Sequence, residues 1–220
     1  GASATPCPTI SDLVRAAAMS VFDRVEFLGR IARVKARMKA AGIDMLVVAD
    51  PANINYLTGY DGWSFYVHQY AILGLDAEEP LWIGRAMDAP GARLTAFLKP
   101  ENIVAYPETY VDSESRHPAG FLGGIIREQG FAAARIGTDL DAFYFTVRDY
   151  LELGKALPEA NIADAKGLVN WVRLVKSPAE VALMRGAAAI VGKAMETGMA
   201  AIEPGVRECD AVAKITAAQF

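Results

Sequence analysis

Apolar residues recur every three or four positions between residues 24 and 41, as they do on one face of a helix. The residues of this pattern are Val25, Leu28, Ile31 and Met38. Asp23 can cap the helix, with Glu26 three residues further on as its capping-box partner, and Gly42 follows as a stop signal. The pattern therefore predicts an amphipathic helix over about residues 24–41.

Two shorter segments follow this helix. Residues 44–49 form a continuous apolar run of β-favouring residues, which predicts a strand buried on both faces. Residues 50–59 predict a short helix, because Asp50 can cap it, Pro51 suits its first position and Gly59 suits its end.

Residues 63–75, "WSFYVHQYAILGL", alternate in a period of two, and this alternation predicts one long strand. One side of the predicted strand would carry Trp63, Phe65, Val67, Ala71 and Leu73. The other side would carry Ser64, Tyr66, His68, Tyr70 and Ile72.

Strand-like and helix-like segments then alternate up to about residue 165. The predicted strands are 80–84, 102–106, 134–139 and a short one near 161–165, and the predicted helices are 88–98, 118–130 and 145–157. Alternation of this kind is typical of α/β layering, so residues 23–165 are predicted to form one α/β domain.

The rest of the chain shows helical patterns and no strand-like segment. Residues 166–220 show helical spacing in three stretches, broken at Ser177-Pro178 and Pro204-Gly205. We interpret them as a linker and the first helices of a second domain, which has no sheet in this sequence for its helices to cover. At the other end, residues 1–22 predict a loose leader.

Composition excludes several classes of function. Hydrophobic residues make up 53% of the 220 residues, as in a globular protein. The formal net charge of -4 argues against a phosphate-binding surface and hence against a nucleic-acid partner. No apolar run approaches the roughly 18 to 20 residues that span a bilayer, so no membrane partner is expected. The two cysteines, Cys7 and Cys209, fit neither a disulfide framework nor a metal site, and they favour a cytoplasmic location.

The sequence contains no recognisable catalytic motif. It has no HExxH, GxSxG or CxxC pattern and no phosphate-binding glycine loop, and neither histidine has metal-ligand spacing to another ligand. His117 is interpreted as a surface or helix-entry residue. We therefore expect no catalytic residue and no bound metal in this chain.

The segment 56–70, "YLTGYDGWSFYVHQY", is the candidate binding site because it is rich in aromatic residues. Its side chains could form an aromatic wall for a delocalised cation, while His68 could hold a carboxylate. The residues assigned to this substrate-binding site are Tyr60, Trp63, Phe65, Tyr66 and His68. In the alternative interpretation, Trp63 and Phe65 are core residues of the strand and the segment has no binding role.

The junction "RLVKSPAEVALMRGAAAI" resembles the creatinase/aminopeptidase P/prolidase superfamily. The matching positions are Arg173, Lys176, Glu180, Met184, Arg185 and Ala187. "IEPGVRECD" and "RIARVKARMKAAGIDMLVVADPANINYLTGY" are similar to a later turn and to the opening of that family. Within it, "YLTGYDGWSFYVHQ" and "VNWVRLVKSP" look closest to the ectoine hydrolase branch.

This resemblance implies an N-terminal α/β domain, a mixed sheet flanked by helices, followed by the start of a pita-bread α+β catalytic domain. It also implies a homodimer, in which one subunit's N-terminal domain borders its neighbour's active site. Phe65 matches creatinase, whereas Val67 stands where creatinase carries a substrate-holding arginine, which argues against creatine. The expected partner is an ectoine-like small molecule.

The alternatives are an X-Pro peptidase of the aminopeptidase P or prolidase type, acting on an X-Pro peptide, and a non-catalytic binding or dimerisation module. The family's two divalent metal ions, where present, would be held downstream of this chain.

Overall fold

The computed structural model describes residues 21–220, so the predicted leader lies almost entirely outside the described residues. The described helices are α1 (Arg24–Ala41), α2 (Pro51–Thr58), α3 (Ala89–Thr95), α4 (Pro118–Glu128), α5 (Val147–Ala156), α6 (Leu168–Arg173), α7 (Pro178–Ala201) and α8 (Glu208–Ala217). The described strands are β1 (Met45–Val48), β2 (Tyr70–Gly74), β3 (Leu81–Arg85), β4 (Ile103–Tyr106), β5 (Arg135–Thr138) and β6 (Asn161–Asp164).

The strands form one six-stranded mixed sheet in the order β4-β3-β2-β1-β5-β6. β2 pairs antiparallel with both of its neighbours, β1 and β3, while the other neighbouring pairs are parallel. The remaining described strands therefore all run in one direction and end at the same edge of the sheet. The predicted α/β class and the mixed sheet are confirmed.

Helices cover both faces of this sheet, and β1 shows why its sequence is apolar throughout. Leu46 and Val48 pack into the cluster under α1, α2 and α6, whereas Met45 and Val47 pack into the cluster under α4 and α5. Successive side chains of a strand point to opposite faces, so a strand buried on both faces needs no polar position.

The first helices begin and end where their caps predict. The Asp23 carboxylate accepts a hydrogen bond from the backbone N–H of Glu26, and Gly42 ends α1 in the left-handed region at φ 64°. The Asp50 carboxylate caps α2 in the same way at Asn53 N–H, and Gly59 ends that helix at φ 76°. These residue types supply what a helix terminus lacks, namely a side-chain acceptor at its start and a positive φ at its end.

The predicted long strand over 63–75 is wrong in its first half. Extended pairing starts at Tyr70, and residues 61–69 form an irregular loop. The Ser64 hydroxyl accepts a hydrogen bond from Val67 N–H at 3.0 Å, which closes a turn, and the neighbouring strands are too short to pair with this stretch. The alternation of apolar residues here does not come from a pleated strand.

The described chain divides into two compact units after Leu174. The sequence analysis placed the end of the α/β domain near residue 165, and this boundary stays a prediction. Helix α6, within the predicted linker, packs against α1 and α2 of the first unit. In the second unit, α7 begins with a capping box between Ser177 and Glu180 and packs against α8. Among the described helices, none is both long enough and apolar enough to cross a membrane.

Candidate functional site

The irregular segment 61–69, here called the aromatic loop, lies at the edge of the sheet where the parallel strands end. Val48 at the end of β1 pairs with Ala71 near the start of β2, and Tyr70 pairs with Ile83. Because β2 runs opposite to its neighbours, the loop that precedes it meets their carboxyl ends. In open α/β sheets this edge is where ligands commonly bind.

Three aromatic side chains of the loop point into solvent. Trp63, Phe65 and Tyr66 are 61%, 70% and 70% exposed, respectively. The rings of Trp63 and Phe65 meet edge to face with their centroids 6.4 Å apart. The alternative interpretation that Trp63 and Phe65 are core residues is therefore wrong, because both lie on the surface.

A second aromatic segment, which the sequence analysis did not single out, completes this surface. Tyr144 lies 6.4 Å from Trp63 between ring centroids, and Phe143 lies 5.7 Å from Tyr144. Four aromatic residues line a pocket of 240 Å³, here called the aromatic pocket: Phe65, Tyr66, Phe143 and Tyr144. Its wall also includes Ala49, Pro51, Ser64, Val67, His68, Gln69 and Thr146.

Tyr60, the fifth candidate residue, lies in the core instead. It is 6% exposed, and its ring centroid lies 5.1 Å from that of Trp82. Its hydroxyl accepts a hydrogen bond from Gln69 Nε2 at 3.1 Å. The structure thus brings Phe65, Tyr66 and His68 together in the pocket wall, places Trp63 beside them, and separates Tyr60 from them.

The C-terminal end of the aromatic loop is held by buried polar groups. The Tyr106 hydroxyl donates to the backbone carbonyl of His68 at 2.6 Å, and Gln69 Nε2 donates to Asp88 Oδ2 at 2.8 Å. Burial raises the pKa of Tyr106, so its hydroxyl keeps the proton that it donates. The loop therefore joins the sheet through fixed contacts, while its aromatic tip is exposed.

Asp149, on α5, is the centre of a further network at this end of the loop. Tyr70 donates to its Oδ1 at 2.5 Å, and both the backbone N–H and the hydroxyl of Thr146 donate to its Oδ2, at 2.7 and 2.6 Å. The Nε2 atom of His68 lies 3.2 Å from the same Oδ2. Asp149 is 0% exposed and its burial alone would raise its pKa, but the bonds from His68, Thr146 and Tyr70 outweigh burial and lower it.

His117 lies beside His68 and not on the open surface. The two ring centroids are 4.8 Å apart. His117 is the N-cap of α4, and its Nδ1 accepts a hydrogen bond from Ala119 N–H at 3.2 Å. Burial lowers the pKa of His117. The sequence indicates that this residue enters a helix, but its proximity to His68 depends on the packing of α4 beside β2.

His68, His117 and Asp149 carry potential metal ligands within 4.8 Å of one another. Two histidines and a carboxylate suit a divalent transition metal in residue type. In this arrangement, however, the Asp149 oxygens already accept bonds from three residues, and Nδ1 of His117 is used by the helix cap. We interpret the group as a hydrogen-bonded network, and the expected absence of a metal from this chain stays a prediction.

Comparison with known proteins agrees with the fold. Residues 30–175 match the family model of the Creatinase/Prolidase N-terminal domain. The chain is 46% identical over 199 residues to the uncharacterized hydrolase/peptidase y4tM of Sinorhizobium fredii, covering 90% of this chain and 51% of that protein. It is 44% identical over 195 residues to the ectoine hydrolase of Halomonas elongata, covering 88% of this chain and 49% of that protein.

Solved structures show the same fold at lower identity. The Xaa-Pro dipeptidase from Bacillus anthracis superposes with a TM-score of 0.68 at 20% identity, over 88% of this chain and 48% of that one. The prolidase from Pyrococcus furiosus gives a TM-score of 0.63 at 16% identity, over 86% of this chain and 51% of that one. The chain spans about half the length of the curated relatives it matches.

Proposed function

Because the chain belongs to the creatinase/prolidase N-terminal domain family, we propose that it is the N-terminal part of a hydrolase that cleaves a C–N bond. The proposed reaction is the hydrolytic ring opening of ectoine or hydroxyectoine, in which a C–N bond of the cyclic amidine is cleaved. In this proposal the chain supplies an aromatic wall that borders the substrate, and it supplies contacts for a homodimer.

The exposed aromatic pocket is the observation that carries this proposal. Ectoine combines a delocalised amidinium with a small ring and a carboxylate, and the faces of aromatic rings attract such cations. One desolvated cation–π contact contributes about 0.5 to 2 kcal/mol. Phe65, Tyr66, Phe143 and Tyr144 offer several such faces around one pocket of 240 Å³. The 44% identity to an ectoine hydrolase supports the same substrate.

The reactive groups are proposed to lie outside these 220 residues. In the described network around Asp149, both carboxylate oxygens already accept hydrogen bonds, and no nucleophile is activated there. The family resemblance supports catalytic residues downstream of this chain. Two divalent metal ions in that downstream part are an expectation from the metal-dependent members of the family. The aromatic pocket would then meet the active site of a neighbouring subunit.

An X-Pro peptidase is the second candidate, because the structural relatives include an Xaa-Pro dipeptidase and a prolidase. Their identities of 20% and 16% support the fold and not the substrate. A proline ring packs on aromatic side chains as an ectoine ring does, so the pocket alone does not separate the two substrates.

An assay of the full-length protein with ectoine, hydroxyectoine and the dipeptide Ala-Pro tests this proposal. We expect release of the ring-opened product from ectoine or hydroxyectoine, with Ala-Pro left intact. Cleavage of Ala-Pro alone would favour the peptidase, and no hydrolysis of any of them would favour a non-catalytic module.

In the same assay, replacing Trp63 by alanine tests the wall. We expect the Michaelis constant for ectoine to rise about tenfold with little change in kcat, since about 1.4 kcal/mol of binding would be lost. Trp171→Ala is the matched control, because Trp171 is also exposed, at 58%, but lies on α6. An unchanged Michaelis constant in Trp63→Ala would remove Trp63 from the binding site.

A further inference from the structure

His68 occupies a position between two pockets. It lines the aromatic pocket, and it also lines a smaller neighbouring pocket of 150 Å³ together with His117 and residues 110–113. Its side chain is 23% exposed. A group in this position can contact a ligand in either pocket, so the chemistry that its ring presents matters for recognition.

The contact with Asp149 determines which atom of the ring carries a proton. An ionised carboxylate only accepts hydrogen bonds, so the Nε2 atom of His68, 3.2 Å from Asp149 Oδ2, must carry the hydrogen of this contact. In a neutral ring the other nitrogen, Nδ1, is then an unprotonated acceptor. Among the described residues, no hydrogen-bond partner of His68 Nδ1 is found.

Asp149 itself lies behind His68 and lines neither of the two pockets. Tyr70 donates to its Oδ1 and Thr146 donates to its Oδ2, so that the carboxylate has little freedom to turn away from the imidazole. Its influence on a ligand would therefore pass through the orientation and the tautomer of His68, as carboxylates behind histidines act in metal sites and catalytic triads.

We propose that Asp149 is a positioning residue that fixes His68 as the Nε2–H tautomer, so that the Nδ1 lone pair is left to accept a hydrogen bond from an N–H donor of the ligand. The ligand class selected at this point is then an amidinium or ammonium group, and not the carboxylate that the sequence analysis assigned to His68. The inference rests on the proposed function for its choice of ligand, and it names the part of the substrate that meets His68.

The tautomer can be read directly by NMR on the unmodified chain. The chain has two histidines, so ¹⁵N-histidine labelling gives two imidazole patterns, and the variant His117→Asn assigns them. At about pH 8.5, where a histidine ring is ordinarily neutral, we expect His68 to show Nδ1 unprotonated and Nε2 protonated. A protonated Nδ1, or an even mixture of tautomers, would overturn the proposal without any need for a variant at position 149.

The role of Asp149 is tested by Asp149→Asn beside Glu152→Gln, a change at another carboxylate of the same helix. We expect Asp149→Asn to give a mixture of His68 tautomers and Glu152→Gln to leave the wild-type pattern. If Asp149→Asn does not fold, Tyr70→Phe removes only the bond to Asp149 Oδ1 and leaves the carboxylate facing His68 through Oδ2. His68 should then keep the Nε2–H pattern, and a mixture of tautomers in Tyr70→Phe would contradict the role of the carboxylate. A wild-type pattern in folded Asp149→Asn would contradict the positioning role.

Ligand selection is tested by titrating the labelled chain with acetamidinium and, separately, with acetate. We expect acetamidinium to move the His68 Nδ1 signal, with an apparent affinity about tenfold weaker in Asp149→Asn, and acetate to leave it in place. An equal response to acetate would contradict the selection of N–H donors. Because this readout is binding and not hydrolysis, inactivity of the full-length enzyme on ectoine would contradict the proposed function alone.

Discussion

At position 149 a carboxylate is withdrawn completely from solvent, and the residues around it show how such a charge is tolerated. Burying an isolated charge is costly, but here Tyr70 and Thr146 donate hydrogen bonds to Oδ1 and Oδ2, respectively, and Nε2 of His68 lies 3.2 Å from Oδ2. These donors come from β2, from the start of α5 and from the aromatic loop. One side chain thus joins the start of α5 to residues 68–70, which lie far from it in the sequence.

The environment of Asp149 favours its charged form, whereas the environment of His117 favours its neutral form. Its Nδ1 must be unprotonated to accept from Ala119 N–H, and burial lowers its pKa, with the nearby Asp149 acting in the other direction to a smaller extent. The pKa of His117 in the folded protein therefore lies below its value of about 6.5 in an unfolded chain. Between these two pKa values the unfolded state binds more protons than the folded state. The contribution of His117 to the free energy of unfolding is therefore complete above about pH 6.5 and decreases as the pH falls below it.

We therefore expect the free energy of unfolding to decrease between pH 7.5 and 5.5, in part because protonation removes a helix cap of about 1 kcal/mol. The variant His117→Asn keeps an N-cap side chain that does not titrate, so it should lose less stability over the same interval. Urea unfolding curves at the two pH values measure this. Parallel losses in the two proteins would show that His117 does not contribute.

At the scale of elements, the success of the sequence analysis follows from how local each signal is. The ends of α1 and α2 depend on Asp23, Gly42, Asp50 and Gly59, whose roles involve only the adjacent turn, and these helices were predicted correctly. The aromatic loop was predicted as a strand because its alternation is the same as that of β2. Pairing partners decide between the two, and a single sequence does not show them.

The candidate site was predicted only where it is continuous in sequence. Phe65, Tyr66 and His68 were singled out because they lie together in one aromatic segment. Phe143 and Tyr144 carry a weaker local signal, the run "DAFYF", and they join the pocket only because α5 follows β5 at the same edge of the sheet. Asp149 carries no local signal beyond that of a helix-start residue.

Helices α4 and α5 pack closely, and two adjacent glycines on α4 test this contact. A Cβ added at Gly123 would lie 2.4 Å from the Cβ of Ala156, whereas one added at Gly124 would meet nothing within 4 Å. We expect Gly123→Ala to destabilise the protein by about 1 to 3 kcal/mol through overpacking. Gly124→Ala should be neutral or stabilising by up to about 1 kcal/mol, since alanine favours a helix.

Chemical denaturation of the two variants measures both effects under one condition. The comparison is matched, because the substitution, the helix and the added volume are the same. Equal effects of the two changes would mean that α4 and α5 do not approach each other as described.

At the scale of the whole molecule, the two units differ in how much apolar surface they bury. In the first unit, α1 has 18 residues and buries Phe27, Ile31, Val34 and Met38. In the second, the 24 residues of α7 bury Ala194, Gly198 and Ala201 and leave Met195 and Met199 exposed at 60% and 66%. Most of the stability of a helix in a protein comes from packing such faces.

We therefore expect amide hydrogens of α7 to exchange much faster than those of α1 in the 220-residue chain. Because opening free energies follow local burial, β1 should be the slowest to exchange. Hydrogen exchange followed by mass spectrometry resolves these peptides. Protection of α7 equal to that of α1 would mean that its apolar face is covered.

Hydrogen bonds hold the end of the aromatic loop and the first residue of β2, at residues 68–70, whereas the aromatic side chains at the tip of the loop are exposed. Substitutions at the tip should therefore have little effect on the free energy of unfolding, whereas substitutions at residues 68–70 should destabilise the whole domain. Under the proposed function, in which this tip borders the substrate, substrate preference can diverge by exchange of one short stretch of sequence. Chimeras that transplant this tip between relatives are a practical route to altered selectivity.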